Sequence, residues 1–329
     1  MIKFYFPRWF FPVNLGDSIV ATFIPKLLNH HYDDEVEVIT HGEAMIECFK
    51  KIPGVRNVRS PYENEIKSIP EWIQLSRENN FCVYPEWHPR TWSMWGENFD
   101  KFYNHPTGNI LTLTYLLQLG LEEYMLSDYD LLPCIVPNNK KPLISKKINI
   151  AIVPADKLSD RPTSHPGCDG IGYRLNGPTG LSAWTTIVSK LKNNIDCTVY
   201  EFSKKSLSIG DVHVPHVSSY VDLATYCKGF DLAILSDGGL HHVFNSQQTP
   251  VYLLGAQKIN KPYFFKLKNG YYNELLYNKC LCSSRSQLMN INGWEDLNSV
   301  CDLSCERIEP ILIADDILKY MNKNEKSVF

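Results

Sequence analysis

The chain has 329 residues, 44% hydrophobic and 21% charged, a globular balance with room for two domains that argues against disorder. Its formal net charge of -3 supplies no global basic field, so tight non-specific binding to nucleic acid or to an anionic membrane is not favoured. No apolar run reaches the roughly 18 residues that a spanning helix needs.

Residues 1–11 are apolar but broken by Lys3, Pro7 and Arg8, and they lack a small-residue cleavage site, so a strand is expected there rather than a signal peptide. The expectation is a cytoplasmic protein, whose ten cysteines are mostly reduced, partly buried thiols. The first strand is 2–6. Ser18, Ile19, Val20, Phe23, Ile24, Leu27 and Leu28 then follow helical spacing. A strand at 35–40, a helix at 42–51 and a short strand at 55–58 come next. Residues 81–95 begin as a strand and become a Trp-rich loop, and 108–119 are helical. The segment 133–147, with three prolines and four lysines, is placed as the interdomain linker. After it come a strand at 148–155, a helix at 181–192, a strand at 197–202, a short helix at 221–227, and strands at 231–236 and 250–255. An amphipathic helix closes the chain at 308–322. Strand alternating with helix predicts an α/β protein with two doubly wound parallel sheets, one in each of two Rossmann-like domains, 1–145 and 146–329. Ligands of such sheets bind beyond the C-terminal ends of the strands, so two such domains facing each other enclose a cleft.

Three strand-to-helix loops carry candidate chemistry. In Asn14-Leu15-Gly16-Asp17-Ser18, Gly16 allows a turn and Asp17 sits where a helix N-cap belongs; a carboxylate there either caps the helix or takes a proton from an acceptor hydroxyl. In Ser236-Asp237-Gly238-Gly239-Leu240-His241-His242, paired glycines let backbone approach a ligand, a helix N-terminus offers N–H groups to a diphosphate, and one histidine adds a donor or is merely structural. In the loop 172–184, Arg174 suits phosphate oxygens, or is simply solvated. Glu201, at a strand end, is a candidate acceptor for ribose hydroxyls, with a solvated glutamate as the alternative.

Taken in order, these segments resemble the heptosyltransferase-like family of GT-B glycosyltransferases. The resemblance runs from Leu15-Gly16-Asp17 with Ile19, Thr22, Pro25 and Leu28, through 35–40 and Ser182-Ala183-Trp184. It is sharpest at Phe230-Asp231-Leu232-Ala233-Ile234-Leu235-Ser236-Asp237-Gly238-Gly239-Leu240-His241-His242 and Gln248-Thr249-Pro250-Val251. It implies the GT-B fold, with the last helix crossing back to the first domain. It also implies that Asp17 is the catalytic base and that Asp237, Gly238, Gly239 and His242 line the donor diphosphate. Arg174 stands nearest to the lysine the family usually carries, in an unusually long loop. Members are inverting and metal-independent, which fits the lack of an Asp-x-Asp motif here; no cofactor is required, and the donor substrate is a nucleotide-diphosphate sugar.

The cluster Trp72, Trp87, His88, Arg90, Trp92 and Trp95 lies where the acceptor should bind, and Trp87, His88, Arg90 and Trp92 are the expected acceptor wall; the alternative is that the tryptophans pack a long loop onto the domain. Cys280, Cys282, Cys301 and Cys305 form two close doublets that would suit a structural zinc, although the spacings are not the usual two-residue gaps. Similar cysteines recur in many heptosyltransferase-like proteins without an obvious metal, and the reading adopted is no metal. The expected partners are a nucleotide-sugar donor and a saccharide, lipopolysaccharide-like acceptor. The alternatives are a hydroxymethylated DNA base as acceptor, which would have to be exposed from the duplex, a non-catalytic nucleotide-sugar or saccharide binder, and a nucleotide-sugar epimerase of the same fold.

Overall fold

A computed structural model describes residues 1–6, 15–62, 65, 80–83, 105, 107, 110–139, 144–145, 147–154, 178–203, 205–215, 219–235, 239–253, 271–272 and 309–325. The described strands form two parallel sheets. The first comprises β1 (Ile2–Phe6), β2 (Val36–Thr40), β3 (Val55–Arg59) and β4 (Phe81–Cys82) in the order β3-β2-β1-β4. The second comprises β5 (Ile148–Val153), β6 (Cys197–Ser203), β7 (Val212–Pro215), β8 (Leu232–Leu235), β9 (Val251–Leu253) and β10 (Tyr271–Tyr272) in the order β10-β9-β8-β5-β6-β7. Counted from its own first strand, the second sheet runs 3-2-1-4-5-6, the order of a dinucleotide-binding doubly wound domain, and the first sheet runs 3-2-1-4.

Parallel strands must be covered on both faces, and their side chains show it. Phe4 and Phe6 of β1 point to one face and meet Phe49 edge-on, with ring centroids 6.2 and 6.1 Å apart. That ring belongs to α3 (Glu43–Phe49), which follows α1 (Leu15–Val20) and α2 (Ile24–Tyr32) in the first half. Tyr5, between them, must point to the opposite face. There its hydroxyl donates to Glu65 (3.3 Å), and Arg59 at the end of β3 holds the same carboxylate with two bonds of 2.6 and 2.7 Å. Arg59 also reaches Glu37 at 3.2 Å, which accepts from Asn57 at 2.8 Å. A polar network thus fastens residue 65 to the face of the first sheet.

In the second half, α5 (Pro178–Asn194) and α8 (Pro310–Glu325) both begin with proline, whose missing N–H costs nothing at the first helical position. They pack together on one face of the sheet. Trp184, Ile187 and Leu191 of α5 meet Ile313, Ala314 and Ile317 of α8 over Ile150, Ile152 and Ile234, and each fully buried aliphatic side chain contributes roughly 1.5–3 kcal/mol relative to exposure. Tyr252 of β9 donates to Asp316 of α8 at 2.6 Å. The closing helix, expected to cross back to the first domain, therefore packs on its own half: its apolar stripe matches α5. The other face of the second sheet is covered by α6 (Tyr220–Cys227) and α7 (Gly239–Ser246). A further described helix, α4 (Ile110–Leu119), belongs to the first half.

The segment 133–147 is expected to be a linker, but its first residues are anchored rather than loose. Cys134 N–H donates to Thr22 Oγ1 (2.9 Å), the carbonyl of Ile135 accepts from Gln247 Nε2 (2.9 Å), and Asn138 N–H donates to Thr225 Oγ1 (2.8 Å). Among the described residues, no helix is long and apolar enough to cross a membrane.

The Arg59 pair sets a pH dependence. Hydrogen bonds from Arg59 dominate the balance that holds the Glu65 carboxyl down at about 2, against burial, which pushes it up. A depressed folded-state value contributes stability above the ordinary carboxylate range and loses it as pH falls through about 2. Glu65→Gln is therefore expected to destabilise the protein by on the order of 2–3 kcal/mol at pH 7. The gap to the parent protein should close between pH 4.5 and 2, as read by denaturant melts across that range; a gap independent of pH would mean the pair carries no charge-dependent stability.

Candidate active site

In an open parallel sheet, the natural place for a ligand is the crevice where successive connections leave to opposite sides. In the first sheet this switch lies between β1 and β4; in the second it lies between β5 and β8. The segment leaving β1 leads into α1, and the segment leaving β8 leads into α7. These two helices pack against each other: Ile19 and Val20 of α1 share one core with Leu240, Val243 and Phe244 of α7. The two switch points are thereby coupled through a helix from each half.

Asp17 is the third residue of α1, so it stands inside the first turn and not at the N-cap position expected for it. Gly239 is the first residue of α7, which opens three residues after β8 ends at Leu235. The first N–H groups of an α-helix have no partner within the helix, and a helix N-terminus that follows a strand end is a common anion site.

His242 follows within that helix. It is 6% exposed, and its ring lies against that of His241, with centroids 3.7 Å apart. Burial first, and the neighbouring His241 second, push its imidazole well below the ordinary histidine value. His242 is thus neutral at pH 7 and brings a single N–H, not a positive charge.

Glu201 has a different task from the one expected of it. It is 1% exposed. One carboxylate oxygen accepts from Ser203 Oγ and Leu207 N–H, both at 2.6 Å, and the other from Ile209 N–H at 3.0 Å and Gly210 N–H at 3.3 Å. Burial raises its carboxyl, but these four bonds outweigh it and leave the group below its ordinary value. Four acceptor positions are filled from its own chain, and no ribose hydroxyl is needed to explain the residue.

What Glu201 holds is an abrupt connection. β6 and β7 are parallel neighbours, and such pairs normally require a crossover of a dozen or more residues, usually a helix. Here residues 204–211 suffice, folded around the carboxylate. Gly210 passes so close that a Cβ would lie 2.9 Å from Glu201 Cβ and 3.0 Å from its backbone nitrogen. Asp211 closes the turn by accepting from Val199 N–H at 2.9 Å and donating its own N–H to the Val199 carbonyl at 2.7 Å. The sequence signal was present in Ser-Ile-Gly-Asp at 208–211, a turn composition after a strand that carries an acid two residues before its end.

Arg174, Asp237, Gly238, the aromatic wall of Trp87, His88, Arg90 and Trp92, and the cysteines Cys280, Cys282, Cys301 and Cys305 lie outside the described residues. Among the described residues, no group of three or more histidine, cysteine or acidic side chains is placed to hold a metal.

No family model matches the sequence, and no curated protein matches it significantly. Solved structures do match. The glycosyl transferase family 9 protein of Veillonella parvula superposes with a TM-score of 0.55 at 13% identity, over 98% of this chain and 97% of that one. ADP-heptose lps heptosyltransferase II of Escherichia coli gives 0.56 at 10% identity, over 99% and 100%. The chain has the fold of these glycosyltransferases. A third, the iron-containing dodecameric glycosyltransferase TibC of enterotoxigenic E. coli H10407, gives 0.54 at 11% identity, over 100% of this chain and 77% of that one. With parallel sheets in both halves, this is the α/β architecture expected from the heptosyltransferase-like resemblance.

The two assignments for Glu201 separate cleanly. Glu201→Gln places an amide NH2 against backbone donors and should cost about 2–4 kcal/mol, seen as a lowered melting temperature. Nucleotide affinity of the folded variant, measured by calorimetry below its melting range, should stay within about twofold, since a lost hydrogen bond to a ligand would cost roughly 1 kcal/mol or more. Unchanged melting with weakened binding would return the residue to the ribose.

Proposed function

We propose that the protein is a glycosyltransferase that moves a sugar from a nucleotide-diphosphate sugar to a hydroxyl of a saccharide acceptor. The observation that carries this reading is the packing of α1, which bears Asp17, against α7, which opens at Gly239 and bears His242, in a fold shared with heptosyltransferases. In this reading the halves, 1–145 and 146–329, face each other across a cleft. The donor sits on the second half, with Asp237, Gly238, Gly239 and His242 around its diphosphate and Arg174 completing the anion site. The acceptor lies on the first half against Trp87, His88, Arg90 and Trp92.

The reaction is a direct displacement with inversion. Asp17 takes the proton of the acceptor hydroxyl as its oxygen attacks the anomeric carbon, and the bond to the diphosphate oxygen breaks on the opposite side. The first-turn N–H groups of α7 stabilise the charge that develops on the leaving diphosphate, and the neutral His242 donates one further hydrogen bond. The step as written needs no metal, and the protein is proposed to work without one. Because E. coli heptosyltransferase II is named for ADP-heptose, ADP conjugates are the first donors to test. No described residue favours the DNA acceptor.

A nucleotide diphosphate held at about 100 times its dissociation constant stabilises by roughly 2.7 kcal/mol. A thermal-shift screen of ADP, UDP, GDP and CDP with their sugar conjugates should therefore single out one base, and no shift with any of them would remove the donor site. With the donor known, Asp17→Asn should lose transfer by roughly 10²- to 10⁴-fold while still binding nucleotide. Full turnover in that variant would exclude Asp17 as the base, and absence of turnover in the parent protein would favour the binding-protein alternative.

A further inference from the structure

Glu47 of α3 and Lys51, two residues beyond the end of that helix at Phe49, are polar residues four positions apart whose bonds lead to the second half. Spacing of this kind usually gives a solvent-exposed ion pair on one helix. Here Glu47 instead reaches across directly, and Lys51 does so through Asn138. Glu47 Oε2 accepts from Ser219 Oγ at 2.7 Å, and Ser219 is the N-cap of α6, its oxygen accepting from Asp222 N–H at 3.2 Å. A carboxylate of the first half thus sits at the positive end of a helix of the second.

Lys51 Nζ donates to Asn138 Oδ1, whose amide nitrogen donates to Asp222 Oδ1 at 2.8 Å and whose backbone N–H donates to Thr225 Oγ1 at 2.8 Å. Every polar atom of the Asn138 side chain is oriented by what it meets: a cation on the oxygen, a carboxylate on the nitrogen. Asn138 is therefore keyed to one register between α3 and α6.

That register matters because the helices form a closed ring. α3 packs on α6, α6 on α7, and α7 on α1, while α1 runs through the turn 21–23 into α2, and α2 and α3 rest on the same sheet. Any slip of α6 along α3 must be passed through α7 to α1. We propose that Glu47 and Asn138 are positioning residues, which fix the helix bearing Asp17 relative to the helix that opens the donor loop. They touch neither substrate; they act through α6 and α7. The consequence for turnover rests on the transferase reading above, while the coupling itself does not.

The experiment is therefore run in two arms on the full-length double variant Glu47→Ala/Asn138→Ala. In the first arm, hydrogen exchange of the folded protein should rise at the amides of α1 and α7, neither of which contacts the altered residues by the bonds above. Faster exchange confined to α3, α6 and residues 134–138 would overturn the proposal. In the second arm, with the sugar conjugate of whichever diphosphate shifts the melting temperature, kcat should fall roughly 10- to 100-fold, the scale of a misplacement of about 1 Å. The dissociation constant of the diphosphate alone should stay within about twofold, since it is held by the second half. An unchanged kcat, or a loss that tracks weaker diphosphate binding, would overturn the positioning role.

Glu47→Gln keeps an acceptor oxygen for Ser219 and should restore most of the turnover lost in Glu47→Ala; a failure to restore it counts against the proposal. Should the double variant not fold, Asn138→Ala alone carries both arms with the same criteria. If the parent protein transfers no sugar, the function proposed above fails, and the exchange arm still decides the coupling.

Discussion

Everything about the active centre depends on one apolar contact, that of α1 with α7. Neither sheet alone would bring together the proposed base and the proposed leaving-group site; each supplies one switch point, and each switch point sends out a helix. Burying Ile19 and Val20 against Leu240, Val243 and Phe244 merges the two halves into a single core. The chemistry proposed here is thus a property of the junction. The anchored stretch of Cys134, Ile135 and Asn138 serves the same constraint, since it is hydrogen-bonded in turn to the turn after α1, to the residue after α7 and to α6.

Polar groups in the interior are spent in two distinct ways. In the first sheet, Tyr5, Glu37, Arg59 and Glu65 form a network in which one guanidinium is shared by two carboxylates, on a face where the alternation of β1 places a tyrosine between two phenylalanines. In the second, Glu201 is compensated by neutral donors alone, three of them backbone N–H groups. The first arrangement is electrostatic and answers to pH through Glu65. The second is chiefly geometric: it fixes the path of the chain where a helix would ordinarily do so.

Much of the fold was legible in the sequence because parallel strands are nearly continuous apolar runs. Ile148 to Val153 and Leu232 to Leu235 admit no other reading, and their observed ends fall within two residues of those expected. β7 was missed because Val212, His213, Val214 and Pro215 form a half-exposed edge strand with a proline, which composition alone assigns to a turn. The partner of the closing helix was misjudged because an apolar stripe states that a helix is buried and not against what; Trp184 and Leu191 decide that only in three dimensions. Of the candidate site, Asp17 and the segment Gly239 to His242 were singled out from their position after strands, and they stand in α1 and at the start of α7. Glu201 was found for its position and misassigned in its role, since its four donors follow it by two to nine residues in a turn that periodicity does not describe. Glu47 and Asn138 were invisible, because a glutamate four residues before a lysine looks like any solvated pair.

The short β6–β7 connection also bears on how the chain reaches this state. Pairing β5 with β8 closes a span of some eighty residues, and such non-local parallel pairings are slow because the loop entropy is lost before any contact is gained. The turn around Glu201 brings Val199 and Asp211 together across only twelve residues, with all its bonds local. It can therefore form before the sheet exists, supplying a two-strand template with fixed register on which β5, and then β8 across the longer span, are added.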